Sequence, residues 1–167
     1  MFTLQDGYPI TVTDGRAGSV FCGGSGCSGG GLTGTANLCP GVTNVLSSGS
    51  MEARVTSGLT GGSGYFAPGA FCAPPPITGT GNLGTLFGNT AGGIVLGPGQ
   101  NNWDMSLAKL IGVREGQSVQ FRAEFFDAFN RPQFSLPSAS ANGGSLGVIT
   151  ATSVSPRIIQ LALKYSF

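Results

Sequence analysis

Four cysteines, two neighbouring carboxylates and one glycine pattern are the residues here whose types and spacing suit chemistry. Cys22, Cys27, Cys39 and Cys72 point to either of two chemistries. Thiolates hold zinc when four converge, usually as two close pairs. Cys22 and Cys27 lie close, but Cys39 and Cys72 form no second close pair, so the zinc signal is weak. In an oxidising compartment the same residues staple a loop with disulfides. Several pairings fit; Cys22–Cys27 with Cys39–Cys72 is preferred because it closes the shortest local loop. Glu124 and Asp127 are near enough in sequence to suggest a catalytic pair. Three apart on a strand, however, they point to opposite faces. Gly79-Thr80-Gly81-Asn82-Leu83-Gly84 matches the dinucleotide-binding spacing, but it follows Pro74-Pro75-Pro76 instead of a strand and precedes no helix. Neither Lys109 nor Lys164 follows a phosphate-loop glycine pattern. The chain has no His, which removes the commonest general base and metal ligand. No nucleophile has a partnered base. The expectation is a chain that is not an enzyme and takes no cofactor and no metal.

The residues that do show order are positioned by strands. In the segment 157–167, Ile159, Leu161, Leu163, Tyr165 and Phe167 fall on one face, and Ile158, Gln160, Ala162, Lys164 and Ser166 on the other. That is period-2 alternation, nearly all apolar against mostly polar. The length suits a tilted strand crossing a bilayer, which takes ~9–11 residues, and the apolar face ends on aromatics as at a membrane interface. On periodicity alone, a half-buried strand of a soluble sheet is the commoner reading.

Composition argues against an ordinary soluble domain. Of 167 residues, 8 are basic and 7 acidic, while 30 are Gly. Charged residues make up about a quarter of a typical soluble domain, so the deficit is large. A net charge of +1 gives no reason to expect nucleic acid as a partner. No apolar run approaches the ~20 residues of a membrane helix, which does not exclude barrel strands. The start, Met1-Phe2-Thr3-Leu4-Gln5-Asp6-Gly7, has no basic region and no apolar core of signal-peptide length. The simplest expectation is the C-terminal piece of a longer exported protein.

The chain divides near residue 101, with 25 of the 30 Gly before that point and 10 of the 15 charges after it. Residues 1–13 read as a strand that Pro9 confines to an edge or an end. Residues 14–101 read as a long Gly-rich, Cys-containing irregular loop, tolerable as an extracellular barrel loop. Residues 102–167 carry strands at about 102–111, 117–130 and 157–167, a turn at 112–116 and a further candidate strand at 148–154. Asp104, Arg122 and Glu124 are expected on the polar barrel interior, forming ion pairs across neighbouring strands. Lys109 breaks the apolar face of its strand. The fold class is therefore all-β, and the resemblances given next imply a few antiparallel strands from the C-terminal end of a transmembrane β-barrel. So few strands cannot close a barrel, which needs about eight, and alone they leave two bare edges and an exposed apolar face.

Two resemblances sharpen this reading. The gapless alternation Ile159, Leu161, Leu163, Tyr165, Phe167 resembles the C-terminal strand of bacterial outer-membrane barrels, which the barrel-assembly machinery reads. Gly97-Pro98-Gly99-Gln100-Asn101-Asn102-Trp103-Asp104-Met105-Ser106-Leu107 resembles a recurring segment of Oar-like TonB-dependent receptors. So does Gln120-Phe121-Arg122-Ala123-Glu124-Phe125-Phe126-Asp127-Ala128-Phe129-Asn130-Arg131-Pro132-Gln133-Phe134. Tyr65-Phe66-Ala67-Pro68-Gly69-Ala70-Phe71 and Pro156 to Lys164 fit the same group, whereas residues 14–64 do not. The resemblance implies an outer-membrane location. The partners it implies are outer-membrane lipid, the assembly machinery, and the rest of the barrel with an upstream plug. Contact with TonB would run through that missing upstream part, so the chain alone should not transport. A different class, a secreted Gly-rich surface or adhesive protein stapled by disulfides, rests on the Gly content and the four Cys.

Overall fold

A computed structural model describes residues 1–17, 34–75 and 87–167. In chain order the elements are β1 (Phe2–Gln5), β2 (Pro9–Ile10), β3 (Thr13–Asp14), β4 (Gly34–Thr35), β5 (Asn37–Leu38), α1 (Met51–Leu59), β6 (Phe71–Cys72), β7 (Val95–Leu96), β8 (Gln100–Trp103), β9 (Met105–Arg114), β10 (Gln117–Phe126) and β11 (Ile158–Ser166). They fall into two compact units. Among the described residues the fold is mostly β, with one short helix and antiparallel sheets that do not close.

The first unit comprises Met1–Asp6, Gly99–Phe134 and Thr152–Phe167. Its main sheet has the order β11-β10-β9, antiparallel throughout. The β9–β10 turn is tighter than the 112–116 span expected from sequence. β9 continues to Arg114, and Gly116 turns the chain at φ 77°, which only Gly adopts without strain. A register shift follows between Gln117 and Ser118. β10 stops at Phe126, short of the expected Asn130, because local turn chemistry takes over. Asp127 and Asn130 both take left-handed φ values, and the Asp127 carboxylate accepts from the Arg131 N–H at 3.3 Å. The strand expected at 102–111 is interrupted at Asp104, which separates β8 from β9. β1 pairs antiparallel with β8, from Phe2 opposite Trp103 to Gln5 opposite Gln100.

Gln133, buried, ties the segment after β10 back to β8. Its amide oxygen accepts from the Asn101 N–H at 2.8 Å and its amide nitrogen donates to the Asn101 carbonyl at 2.8 Å. In place of a strand at 148–154 there is an isolated bridge between Phe134 and Thr152.

The second unit comprises Gly7–Pro98 and Ser135–Ala151. The expected strand over residues 1–13 is broken. The break falls between β1 and β2, where Gly7 is packed so tightly on the Gly97 backbone that a Cβ would overlap it. Nor is the stretch 14–101 uniformly irregular. The two-residue strands pair as β2–β7, β3–β4 and β5–β6, too short to leave a period in the sequence. α1 starts at Ser50, whose hydroxyl accepts from the Ala53 N–H at 3.2 Å. Gly58 faces the Val148 and Gly64 backbones, and a Cβ there would come within 3.4 Å of both. Val12, Phe66 and Ile149 form the fully buried apolar centre. A disulfide joins Cys39 to Cys72, with Cα atoms 5.2 Å apart.

Candidate functional site: a two-faced sheet

Register sorts the β9–β11 sheet into two faces. Met105, Phe125 and Ile159 share one row; Leu107, Ala123 and Leu161 share the next; Ile111, Val119 and Tyr165 share another. Between the last two rows lie Lys109, Phe121 and Leu163. Apart from Lys109 this face is apolar, yet most of it is open to the surroundings: Leu107 is 63%, Leu161 65% and Leu163 73% exposed. The opposite face carries Ser106, Gln120, Arg122, Glu124, Gln160 and Lys164, with Ala108, Leu110 and Ala162. A soluble sheet would cover the apolar side; a contiguous bare patch of this kind marks an interaction surface.

Arg122 and Glu124 lie on the polar face, as placed from sequence. Their ion pair runs along β10 itself, Nη1 to Oε1 at 3.4 Å, and not across strands as expected. The reason is register: opposite Arg122 stand Ala108 and Ala162, and opposite Glu124 stand Ser106 and Gln160. Asp104 joins no ion pair among the described residues. Its carboxylate accepts from the Asp127 N–H at 3.1 Å and from the Asn102 side chain at 3.3 Å, closing the turn beyond β10. Asp127 therefore serves a turn, and Glu124 belongs to the strand; the two do not form a site. Of the alternating C-terminal residues, Ile159 to Tyr165 lie on the apolar face of β11, and Phe167 follows that strand.

Aromatic residues gather at both ends of the sheet. Phe2 and Trp103 are 4.3 Å apart between ring centroids, and Phe129 meets Trp103 edge-on at 5.8 Å. At the other end Tyr165 and Phe167 are 6.1 Å apart. The Phe2–Trp103–Phe129 group was not visible in sequence, since its members come from three separate stretches. The only clue was that each aromatic borders a strand.

An apolar face between two aromatic girdles, backed by a polar face, is the wall of a membrane barrel. The chain matches the family model for the outer membrane beta barrel domain over residues 1–160. It belongs to that family. No curated protein and no solved structure matches it. Membership places the barrel domain in the bacterial outer membrane. Geometry agrees: at ~3.4 Å per residue and a ~40° tilt, the stretch from Trp103 to Ile111 spans about 21 Å along the membrane normal, against an apolar band of ~25 Å. No described helix is long and apolar enough to cross a membrane.

The second unit of this barrel-family chain carries its own polar groups. Asp14 is fully buried and bound by Arg16 at 2.7 Å. Burial pushes its carboxyl upward, but the hydrogen bonds and charge of Arg16 outweigh that and hold it below the usual value of 3.8. Burial also raises the Tyr65 phenol, opposed by the nearby Arg54 charge. Cys22, Cys27 and the Gly79–Gly84 pattern lie outside the described residues. No cluster that could hold a metal ion occurs among the described residues.

Proposed function

We propose that this chain is the C-terminal part of the β-barrel of an Oar-like TonB-dependent receptor, carrying the assembly signal and unable to transport alone. The observation that carries the barrel part of this reading is the bare apolar face of β9–β11. Such a face is stable against lipid and hazardous in water. Support for the receptor part is the resemblance of Gly97–Leu107 and Gln120–Phe134 to segments of that group. The Glu115–Gly116 turn faces the periplasm in this reading, because periplasmic turns are short. The long connections from β1 to β8 and from β10 to β11 then lie outside. Partners are outer-membrane lipid, the assembly machinery, the remaining barrel and plug, and TonB through upstream sequence. No catalysis is assigned to the chain.

Two measurements test the proposal. The first removes Phe167 from the full-length parent and counts barrels that resist unfolding in unheated SDS. Several-fold fewer assembled barrels are expected, and unchanged assembly would remove the signal. The second reads the DNA ahead of Met1. A plug domain in the same frame supports a receptor, whereas a stop codon followed by a ribosome-binding site counts against one.

A further inference from the structure

We propose that a cavity of about 430 Å³ beside α1 in the second unit binds a small hydroxylated carboxylate through Arg54. The cavity is lined by Asn44, Ser47, Arg54, Ser57 and Ser63, with Leu46 and Pro68 among its apolar contacts. Arg54 has no acidic partner among the described residues. Its Nε is buried and makes no hydrogen bond. Neither of the second unit's two acidic residues serves. Asp14 is committed to Arg16, and Glu52 lies two positions away on α1, where side chains do not face each other.

The guanidinium is nevertheless held in place. It lies over the Tyr65 ring at 5.5 Å from the centroid. Tyr65 is buried and fixed by its hydroxyl, which donates to the Leu96 carbonyl at 2.7 Å. A pre-oriented, part-buried fork of unused donors fits the two oxygens of a carboxylate. One cation in the lining matches one negative charge, which favours a carboxylate over a phosphate dianion.

The remaining lining suits hydroxyl groups. Ser47 donates to the Phe66 carbonyl at 2.5 Å and stands 3.3 Å from the Ser63 hydroxyl. Asn44 uses its oxygen to accept from the Leu46 N–H at 3.0 Å, which leaves its amide donors for a ligand. The Ser57 hydroxyl has no hydrogen bond among the described residues. The site lies within the second unit and does not depend on the receptor reading.

The test follows the Arg54 Nε–H resonance of the full, oxidised chain in detergent micelles during titration with glucuronate, glucose and inorganic phosphate. Saturable binding of glucuronate is expected, with phosphate and glucose each weaker by about tenfold or more. Arg54→Met should abolish binding. Ala53→Leu, an exposed cavity-mouth change on a helix that tolerates Leu, should block it while leaving the Tyr65 stack intact. An unmoved Arg54 resonance, equal binding of glucose or phosphate, or full binding by Ala53→Leu would each overturn the proposal. The Ala53→Leu arm keeps the test decisive even if Arg54→Met does not fold.

Discussion

Lys109 stands directly opposite Phe121 in the β9–β10 ladder, on the apolar side of the sheet. No ion pair holds it among the described residues. Its row is next to that of Tyr165, at the turn-side end of the sheet. A lysine stem can therefore run along Ile111 and lift its ammonium toward the aromatic girdle. Such snorkelling lowers the penalty of a charge on the lipid face without removing it.

Replacing that residue should accordingly stabilise the barrel. A lipid-facing cation costs ~2–4 kcal/mol at the bilayer midplane and ~0–1 kcal/mol near the interface. Lys109→Leu is expected to gain about 1–2 kcal/mol in urea unfolding of the assembled barrel from phosphatidylcholine vesicles. Unchanged or lowered stability would mean that Lys109 faces the polar interior or binds an anionic partner.

Asp14 should make the second unit acid-sensitive. Its folded pKa lies below its unfolded value, so the folded state binds fewer protons at mildly acidic pH. The stabilisation is complete above the ordinary carboxylate value of 3.8 and is lost as pH falls through the lower folded pKa. Asp14→Asn should remove about 1.5–3 kcal/mol at neutral pH, the range for a hydrogen bond to a charged group. It should also flatten the dependence below pH 4. Hydrogen exchange at the Ala36 amide, which bonds to the Val12 carbonyl at 2.9 Å, reports the effect. Equal acid sensitivity in the variant would assign it to another group.

The Cys39–Cys72 bridge closes a span of 33 residues that includes α1. Chain-entropy arguments give ~2–4 kcal/mol for such a link. Cys39→Ser with Cys72→Ser should therefore increase limited proteolysis between those positions while leaving β9–β11 protected. Loss of protection in both units together would show that they unfold as one.

The legible parts of the fold were those with a sustained period. Residues 157–167 alternate without a gap, and β11 occupies Ile158–Ser166 within them. The β9–β10 hairpin was legible for the same reason, although the turn's position within 112–116 was not. Placing the turn requires knowing that Gly116, rather than Gly112, takes the positive φ. The second unit was opaque because its strands are two residues long and its order comes from backbone approaches such as Gly7 to Gly97. Arg54 lies on α1 and Tyr65 eleven positions later in the connection beyond it, and only folding brings the cation over the ring. Asp104 is visible in sequence as a charge, but its hydrogen bond to the Asp127 backbone, far along the chain, is not.

Gln133 illustrates how a single side chain can fix such a long-range relation. It closes a two-bond ring with the Asn101 backbone and donates a third bond to the Arg131 carbonyl at 3.2 Å. Its own carbonyl accepts from the Ser153 N–H at 2.7 Å, so the early and late parts of the β10–β11 connection meet at this residue. Gln133→Leu keeps the apolar bulk but strands the Asn101 N–H and carbonyl in a part-buried position. Each orphaned buried group costs about 1–3 kcal/mol, so a loss of about 2–4 kcal/mol is expected. Gln133→Glu retains the acceptor and loses the donors, and should fall between the two. The readout is exchange protection of the Asn101 amide together with the ring-current shifts of Trp103 and Phe129. Wild-type protection in Gln133→Leu would mean that the β1–β8 pairing alone holds β8 in place.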